Sequence, residues 1–192
     1  MKEIANLTFK LFLIAFIAAL LLGVTYVITK EPIEQQEIQE ATLARQQVLA
    51  AESFEPMDVS QIVKNDRYAS ISEIYIGKDA SGNEVGATIK MTAKGFNPGI
   101  VLTIGIDSEG IITGVNVGSN EETPGLGAKA TEEAFYGQYA GLPAEGSLTV
   151  VKNSPGENQI LSIAGATKTS KGITDAVNLA AECYNEYVKE GR

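Results

Sequence analysis

The polar and apolar positions divide the chain into three regions of different periodicity. An uncharged apolar run covers residues 11–29, between Lys10 and Lys30. Residues 33–51 are rich in Glu, Gln, Ala and Leu, with apolar positions at a loose helical spacing. From about Ile71 the period becomes that of strands. The pattern predicts an apolar helix, then a stalk helix, then a strand-rich domain.

The strand-like region predicts two hairpins. Segments 71–77 and 85–92 flank one turn-forming stretch, and segments 100–106 and 111–117 flank another. Residues 52–69, which lie before the first hairpin, read as a connection.

The last third of the chain predicts two helices separated by a strand. Residues 128–140 read as a helix and residues 147–152 as a short strand. The final helix is expected from about Lys171 to Lys189, with an apolar stripe at Ile173, Val177, Ala180, Tyr184 and Val188. This order of elements predicts an α+β fold, in which helices pack on a mostly antiparallel sheet.

The apolar run is long enough to cross a membrane. Its nineteen residues at 1.5 Å each nearly match a hydrocarbon core of about 30 Å. A cleaved signal peptide is the alternative, but no A-x-A-like cleavage site precedes Lys30. We therefore expect three parts: an N-terminal membrane anchor at 1–30, a stalk helix and connection at 31–69, and one domain at 70–192.

Charge and composition narrow the function classes. The net charge is −9, and the part after Lys30 carries 12 Lys and Arg against 23 Asp and Glu. Such an acidic domain is not expected to bind nucleic acid. The chain has no histidine and one cysteine, Cys183, which disfavours most zinc sites and excludes a cluster held by four cysteines. A redox role would need an organic cofactor.

The distribution of charge around the apolar run predicts its orientation. Lys2 and Lys10 precede it, whereas Lys30 alone lies close behind and is followed by Glu31 and Glu34. The positive-inside bias favours a cytoplasmic N-terminus and an extracytoplasmic domain.

Two loops carry candidate chemistry, and the first contains Glu122, Thr123, Gly125, Leu126 and Gly127. Its Pro-Gly pair suits the centre of a type II turn, which would hold Leu126 at the tip of a sharp bend. Gly127 adds a second conformationally permissive position. The alternative is an ordinary surface turn between a strand and a helix.

The second loop precedes the final helix and has the sequence Ala-Gly-Ala-Thr-Lys-Thr-Ser over residues 164–170. Small residues at Gly165 and Ala166 allow another group to approach the backbone. The helix N-terminus together with Lys168 and Lys171 favours a phosphate. The alternative is a plain N-cap by Thr169 or Ser170.

Both loops together, behind one apolar helix, resemble the FMN-binding subunits of bacterial electron-transport complexes. The resemblance is strongest to the G subunits of Rnf complexes, and the C subunits of the sodium-translocating NADH:quinone reductase are near relatives. The family's E-T-P-G-L-G loop is complete at residues 122–127, and its S/T-G-A-T/S motif matches residues 164–167 except that Ala164 replaces Ser or Thr. The family's Gly-aromatic loop resembles residues 95–97.

The resemblance implies that a flavin transferase joins FMN to Thr167 by a phosphoester bond. Gly165, Ala166, Lys168, Thr169, Ser170 and the Glu122–Gly127 loop would then line the cofactor site, with Leu126 packing on the flavin. It further implies an electron-carrier subunit, rather than an enzyme acting alone, in a membrane-bound ferredoxin:NAD+ oxidoreductase complex that moves ions. The expected partners are its other membrane and peripheral subunits, membrane lipid and the transferase.

Three other functions remain open from the sequence. The chain could be the C subunit of the quinone-linked complex, or a membrane-anchored extracytoplasmic binding or sensor domain without a cofactor. It could also be a stand-alone flavin-domain reductase that acts on an extracellular acceptor. Covalent flavin would separate the sensor domain from the others, and co-purifying subunits would separate the stand-alone reductase.

Overall fold

The computed structural model describes residues 2–189, apart from the side chain of Lys2. Residue 1 of the predicted segment 1–30 lies outside the described part. So do residues 190–192 of the predicted segment 70–192. The chain divides into two compact units with a boundary between Thr42 and Leu43.

The first element is the long helix α1 (Lys2–Val48). The anchor and the stalk helix that the sequence predicts separately are continuous through Pro32. Among the described residues, α1 is the one helix that is long and apolar enough to cross a membrane, and none of its most apolar stretch is buried. An unburied stretch of this kind is not the core helix of a soluble domain.

The centre of the domain is a five-stranded antiparallel sheet with strand order β1-β2-β3-β4-β5. Its strands are β1 (Ser53–Met57), β2 (Ile71–Lys78), β3 (Glu84–Lys94), β4 (Pro98–Asp107) and β5 (Ile112–Val117). The two predicted hairpins are confirmed as the β2–β3 and β4–β5 pairs. Residues 52–69, expected as a connection, also contain a strand that the sequence did not predict: β1 pairs with β2 along one edge of the sheet.

The helical segment that follows the sheet is less regular than the sequence predicts. The continuous helix expected over residues 128–140 is wrong, because three short pieces occupy this region. They are a 3-10 turn at Gly127–Thr131, α2 (Glu133–Tyr136) and a second 3-10 turn at Gly137–Tyr139.

A small parallel sheet connects this segment to the last helix. The predicted strand over residues 147–152 is present as β6 (Thr149–Val151). It pairs with β7 (Gln159–Leu161), which the sequence pattern does not predict.

The last helix, α3 (Thr167–Cys183), continues as π-helical turns over Tyr184–Lys189. It begins four residues before the predicted start at Lys171. Its predicted apolar stripe is confirmed, because all five side chains are buried: Ile173, Val177, Ala180, Tyr184 and Val188. The helix packs on β3 and shares one core with alternate residues of β4, namely Ile100, Leu102, Ile104 and Ile106.

The opposite face of the sheet is covered by the end of α1. A β-carbon placed on Gly105 would lie 2.2 Å from the carbonyl oxygen of Val48, and one placed on Gly77 would lie 2.7 Å from Leu49 Cδ2. Thr113 Oγ1 donates a hydrogen bond to the same Val48 carbonyl. This face is therefore covered around Gly77 and Gly105, although Thr92 stays exposed, and the ends and loops of the sheet remain as surface for a functional site.

Candidate functional site

The loop between β5 and the first 3-10 turn contains the type II turn that the sequence predicts. The backbone N–H of Leu126 donates to the carbonyl oxygen of Thr123 at 3.1 Å, and Gly125 has a φ of +78°. Thr123 and Gly125 are exposed, and Leu126 keeps 43% of its surface accessible. The turn thus leaves much of a large apolar side chain in contact with solvent, where that part of its surface does not stabilise the fold.

Gly127 has a steric role instead of the conformational role predicted for it. Its φ is not positive, and the residue is buried. A β-carbon at this position would lie 2.1 Å from Glu122 Oε2 and 2.8 Å from Thr169 Oγ1. Glycine is needed here because a buried carboxylate and a hydroxyl occupy the space of a side chain.

The start of α3 exposes one of the three hydroxyls in the second loop. Thr167 is the first helical residue and is exposed, whereas the buried Ala166 stands at the N-cap position. Within the described chain no side chain hydrogen-bonds as a cap at this end. The N-cap expected from Thr169 or Ser170 is therefore wrong, because the helix starts before both. The first N–H groups of a helix have no partner within the helix, and Thr167 stands at this end of α3.

Thr169 and Ser170 face the interior of the domain. Thr169 is 1% exposed, and its hydroxyl donates to Glu122 Oε2 at 2.7 Å. Ser170 Oγ donates to the carbonyl oxygen of Ala166 at 3.0 Å and accepts from the N–H of Ile163 at 3.0 Å. Both hydroxyls are therefore used within the fold, which leaves Thr167 as the accessible oxygen of the loop.

Residues close to Thr167 in the sequence approach Leu126 of the first loop and Phe96 of the β3–β4 turn. A β-carbon placed on Gly165, whose φ is +79°, would lie 3.0 Å from Leu126 Cδ2. On the other side, Lys168 Nζ lies 5.4 Å from the ring centre of Phe96, which is 65% exposed. Two exposed apolar side chains from distant parts of the chain thus lie close to Gly165 and Lys168, the residues near Thr167 in the sequence.

Comparison with known proteins gives the family. Residues 95–182, which include both loops, match the family model described as an FMN-binding domain. The chain is 36% identical to the G subunit of the Na+-translocating ferredoxin:NAD+ oxidoreductase complex of Acetobacterium woodii, over 98% of this chain and 95% of that protein. This chain belongs to the G-subunit family of ion-translocating oxidoreductase complexes. A second member, from Methanosarcina acetivorans, is 35% identical over 94% of both chains.

Two solved structures share the fold of this G-subunit family member. NqrC of Shewanella oneidensis is 16% identical with a TM-score of 0.56, over 72% of this chain and 84% of that chain. The C subunit of the Na+-translocating NADH-quinone reductase of Parabacteroides distasonis is 24% identical with a TM-score of 0.50, over 69% and 67%. The resemblance to this pair of families, which the sequence motifs indicate, is confirmed.

The site also contains residues of the Gly-aromatic loop at 95–97, which the sequence analysis compared with the family but did not place among the cofactor-site residues. The β3–β4 turn brings Phe96 and Asn97 beside the two predicted loops, and the backbone N–H of Asn97 donates to Glu122 Oε1 at 2.9 Å. The signal available in the sequence was the resemblance of residues 95–97 to the family's Gly-aromatic loop.

A groove of about 540 Å³ lies along α3 beside Lys94, Gly172 and Asp175, and its lining does not include Thr167. The candidate site is an open surface, because its outer residues are exposed: Phe96, Leu126, Thr167 and Lys168.

The open surface fits FMN in two respects. The first turn of α3 and Lys168 provide positive potential for a phosphate next to a free hydroxyl. Phe96 and Leu126 provide apolar surface on which an aromatic ring system can pack. FMN carries both groups, a phosphate and an aromatic ring system, in one molecule.

Proposed function

We propose that this chain is the electron-carrying subunit of an ion-translocating ferredoxin:NAD+ oxidoreductase complex and holds FMN through a phosphoester to Thr167. The proposal is supported by the names of relatives that align over nearly the whole chain and by the match to the FMN-binding domain. The G-subunit relatives are 35–36% identical, whereas the two quinone-reductase structures reach 24% or less. This difference favours the ferredoxin-linked complex over the quinone-linked one.

The observation that best supports the proposal is the exposure of Thr167 together with the side chains near it. Among the hydroxyls of Thr167, Thr169 and Ser170, that of Thr167 is the exposed one. Close to it in the sequence, a β-carbon on Gly165 would lie 3.0 Å from Leu126 Cδ2, and Lys168 Nζ lies 5.4 Å from the ring centre of Phe96. A flavin tethered at this oxygen has two apolar side chains within reach, and burying a large one is worth roughly 1.5–3 kcal/mol.

The attachment requires a flavin transferase and FAD. Thr167 Oγ1 forms a bond to the phosphorus atom on the FMN side of FAD, and the pyrophosphate bond breaks. AMP leaves, and the hydroxyl proton passes to a base or to solvent. No electrons are transferred in this step. Threonine suits it because a hydroxyl forms a phosphate ester that is stable in water.

The remaining residues of the site divide by their position. Lys168 and the N–H groups near Ala166 would face the phosphate, and the absence of a side chain at Gly165 would leave room for it. Leu126 and the backbone of Thr123 and Gly125 would face the ring. The four buried residues of the site would shape this surface from inside the domain: Glu122, Gly127, Thr169 and Ser170.

Bound FMN would supply one- and two-electron chemistry, which the side chains of this domain lack. The protein would supply the tether, the charge next to the phosphate and the apolar cover. We infer that α1 anchors the protein in the membrane, with its N-terminus in the cytoplasm and the domain outside. There the other subunits of the complex would be the electron donor and acceptor.

A gel experiment tests the attachment residue. The full chain made together with a flavin transferase should give a fluorescent band after denaturing electrophoresis, and Thr167→Ala should give none. Thr131→Ala, which removes another exposed hydroxyl, should leave the band unchanged. A fluorescent Thr167→Ala band, or a wild-type band without fluorescence, would contradict the proposal.

A further inference from the structure

Glu122 is a buried carboxylate at the meeting point of three segments. It is 6% exposed. Its Oε1 accepts a hydrogen bond from the backbone N–H of Asn97 at 2.9 Å, and its Oε2 accepts one from Thr169 Oγ1 at 2.7 Å. The carboxylate therefore connects its own loop to the β3–β4 turn and to the first turn of α3.

Two glycines show how closely the segments approach this carboxylate. A β-carbon placed on Gly95 would lie 2.3 Å from Glu122 Oε1, and one placed on Gly127 would lie 2.1 Å from Oε2. A third glycine, Gly172, brings α3 against the end of β3, because its β-carbon would lie 2.0 Å from the carbonyl oxygen of Lys94. The three segments enclose the carboxylate with no space for an added methyl group.

The backbone next to the carboxyl group is held as well. The N–H of Glu122 donates to Asn120 Oδ1 at 3.2 Å. The side chain of Asn97 donates to the carbonyl oxygen of Glu121, so Asn97 contacts this loop through both its backbone and its side chain. The carboxylate thus has a fixed position from which to orient the other two segments.

The energetics argue against a role in stability alone. Burying a carboxylate is costly unless hydrogen bonds compensate for lost hydration. Within residues 2–189, no Lys or Arg forms an ion pair with Glu122. An apolar side chain of similar volume would often cost less at such a place, whereas charge-assisted hydrogen bonds fix geometry well.

We propose that Glu122 is a positioning residue that sets the arrangement of Thr167, Leu126 and Phe96. Each of these exposed side chains is one or two residues away from a group that touches the carboxylate: Thr169, Gly127 and Asn97, respectively. Glu122 acts through these groups, because both of its oxygens are occupied inside the domain. The link to the flavin rests on the proposed function, whereas the link between the segments does not.

The test uses substitutions that change the hydrogen bonds with little change in shape. In the full chain, Thr169→Val removes the donor to Oε2, and Thr169→Ser retains it. Glu122→Gln removes the charge. Glu121→Gln is the matched control, because Glu121 is the adjacent exposed carboxylate.

The first measurement is amide hydrogen exchange of the Asn97 N–H in protein made without flavin. Losing one partner of Glu122 frees the carboxylate to move, so Thr169→Val should speed this exchange by on the order of tenfold. Glu122→Gln should speed it by less than Thr169→Val but measurably. Thr169→Ser and Glu121→Gln should exchange at close to the wild-type rate.

The second measurement is the visible circular dichroism of the flavinylated protein, which reports the surroundings of the ring. Thr169→Val should take up flavin but lose at least about half of the signal, with recovery in Thr169→Ser. The proposal is overturned if Thr169→Val and Glu122→Gln leave both the exchange and the dichroism at wild-type values, even if they lower stability. If wild-type protein takes up no flavin, the proposed function fails while the exchange still decides the role of Glu122.

Discussion

Thr167 and Thr169 are two residues apart on the same helix and have opposite surroundings. Thr167 is exposed at the first helical position, whereas Thr169 is 1% exposed and bonded to Glu122. A helical step of about 100° per residue separates two such positions by roughly 200° around the axis. Thr167 therefore has room for a large group, while Thr169 stabilises the site from inside the domain through its hydrogen bond to Glu122.

Cys183 is another residue whose surroundings decide its chemistry, because burial makes its thiol unreactive. Its side chain is fully buried, and burial, with smaller effects of Glu186 and Glu182, raises the pKa of the thiol to about 12. The thiolate is the reactive form, so a maleimide at pH 8 should not label the native domain. Denaturant should make the thiol reactive at once. Labelling of the native protein would contradict the burial of this residue.

The same pKa shift predicts how stability depends on pH. The neutral thiol is favoured in the folded state, so this contribution is fully present below the unfolded-state pKa of about 9. It is lost as the pH rises towards 12. Denaturant titrations should show a falling free energy of unfolding above pH 9, and the fall should be less steep in Cys183→Ala. Equal slopes would contradict the prediction.

At the scale of the elements, the site depends on glycines that allow segments to touch. Gly127→Ala would place a methyl group 2.1 Å from Glu122 Oε2 and should lower the free energy of unfolding by about 1–3 kcal/mol. The control is Gly137→Ala, whose β-carbon would lie 3.5 Å from its nearest neighbour at a helical φ of −64°. This control should change stability by less than about 1 kcal/mol. Equal effects in thermal or urea unfolding would argue against the close contact.

The elements predicted correctly from sequence are those with several residues of clear periodicity. The hairpin strands and the stripe of α3 belong to this group. β1 was missed because Pro56 is unusual in a strand, although an edge strand tolerates it. β7 was missed because Gln159–Leu161 carries only one buried apolar residue, Ile160, whereas β6 has consecutive β-branched residues. The continuous helix expected over 128–140 is replaced by three short helical pieces, and no local pattern encodes their packing.

The candidate site was predictable in part. The type II turn follows from Pro124 and Gly125, because those residues favour its dihedral angles locally. The start of α3 at Thr167 was not predictable, since Ala166 has no capping side chain to mark it. The contacts of Glu122 with Asn97 and Thr169 span 25 and 47 residues, and such pairings arise from the packing of the whole domain.

At the scale of the whole molecule, the chain combines a long apolar helix with an acidic domain. Helix α1 has the length and composition to cross a membrane, and the positive charges Lys2 and Lys10 precede its uncharged run. In the orientation that we propose from the positive-inside bias, the domain lies outside the cytoplasm. The proposed covalent tether would be useful there, because a cofactor that dissociates outside the cell is lost.

Protease protection tests this orientation. Protease added to intact cells with a permeable outer layer should cleave the domain, and sealed inverted membrane vesicles should protect it. Detergent should abolish the protection, which shows that the protease can cut the protein. Cleavage in inverted vesicles but not in cells would reverse the proposed topology.

The most direct test of the covalent site is mass analysis of the full chain made with and without a flavin transferase. Trypsin cleaves after Lys152, Lys168 and Lys171, so residues 153–168 contain Thr167 while residues 169–171 contain Thr169 and Ser170. We predict an intact mass increase of one FMN less one water, found in residues 153–168 and assigned to Thr167 by fragmentation. Unchanged mass in the presence of the transferase, or FMN on any other residue, would contradict the assignment of Thr167.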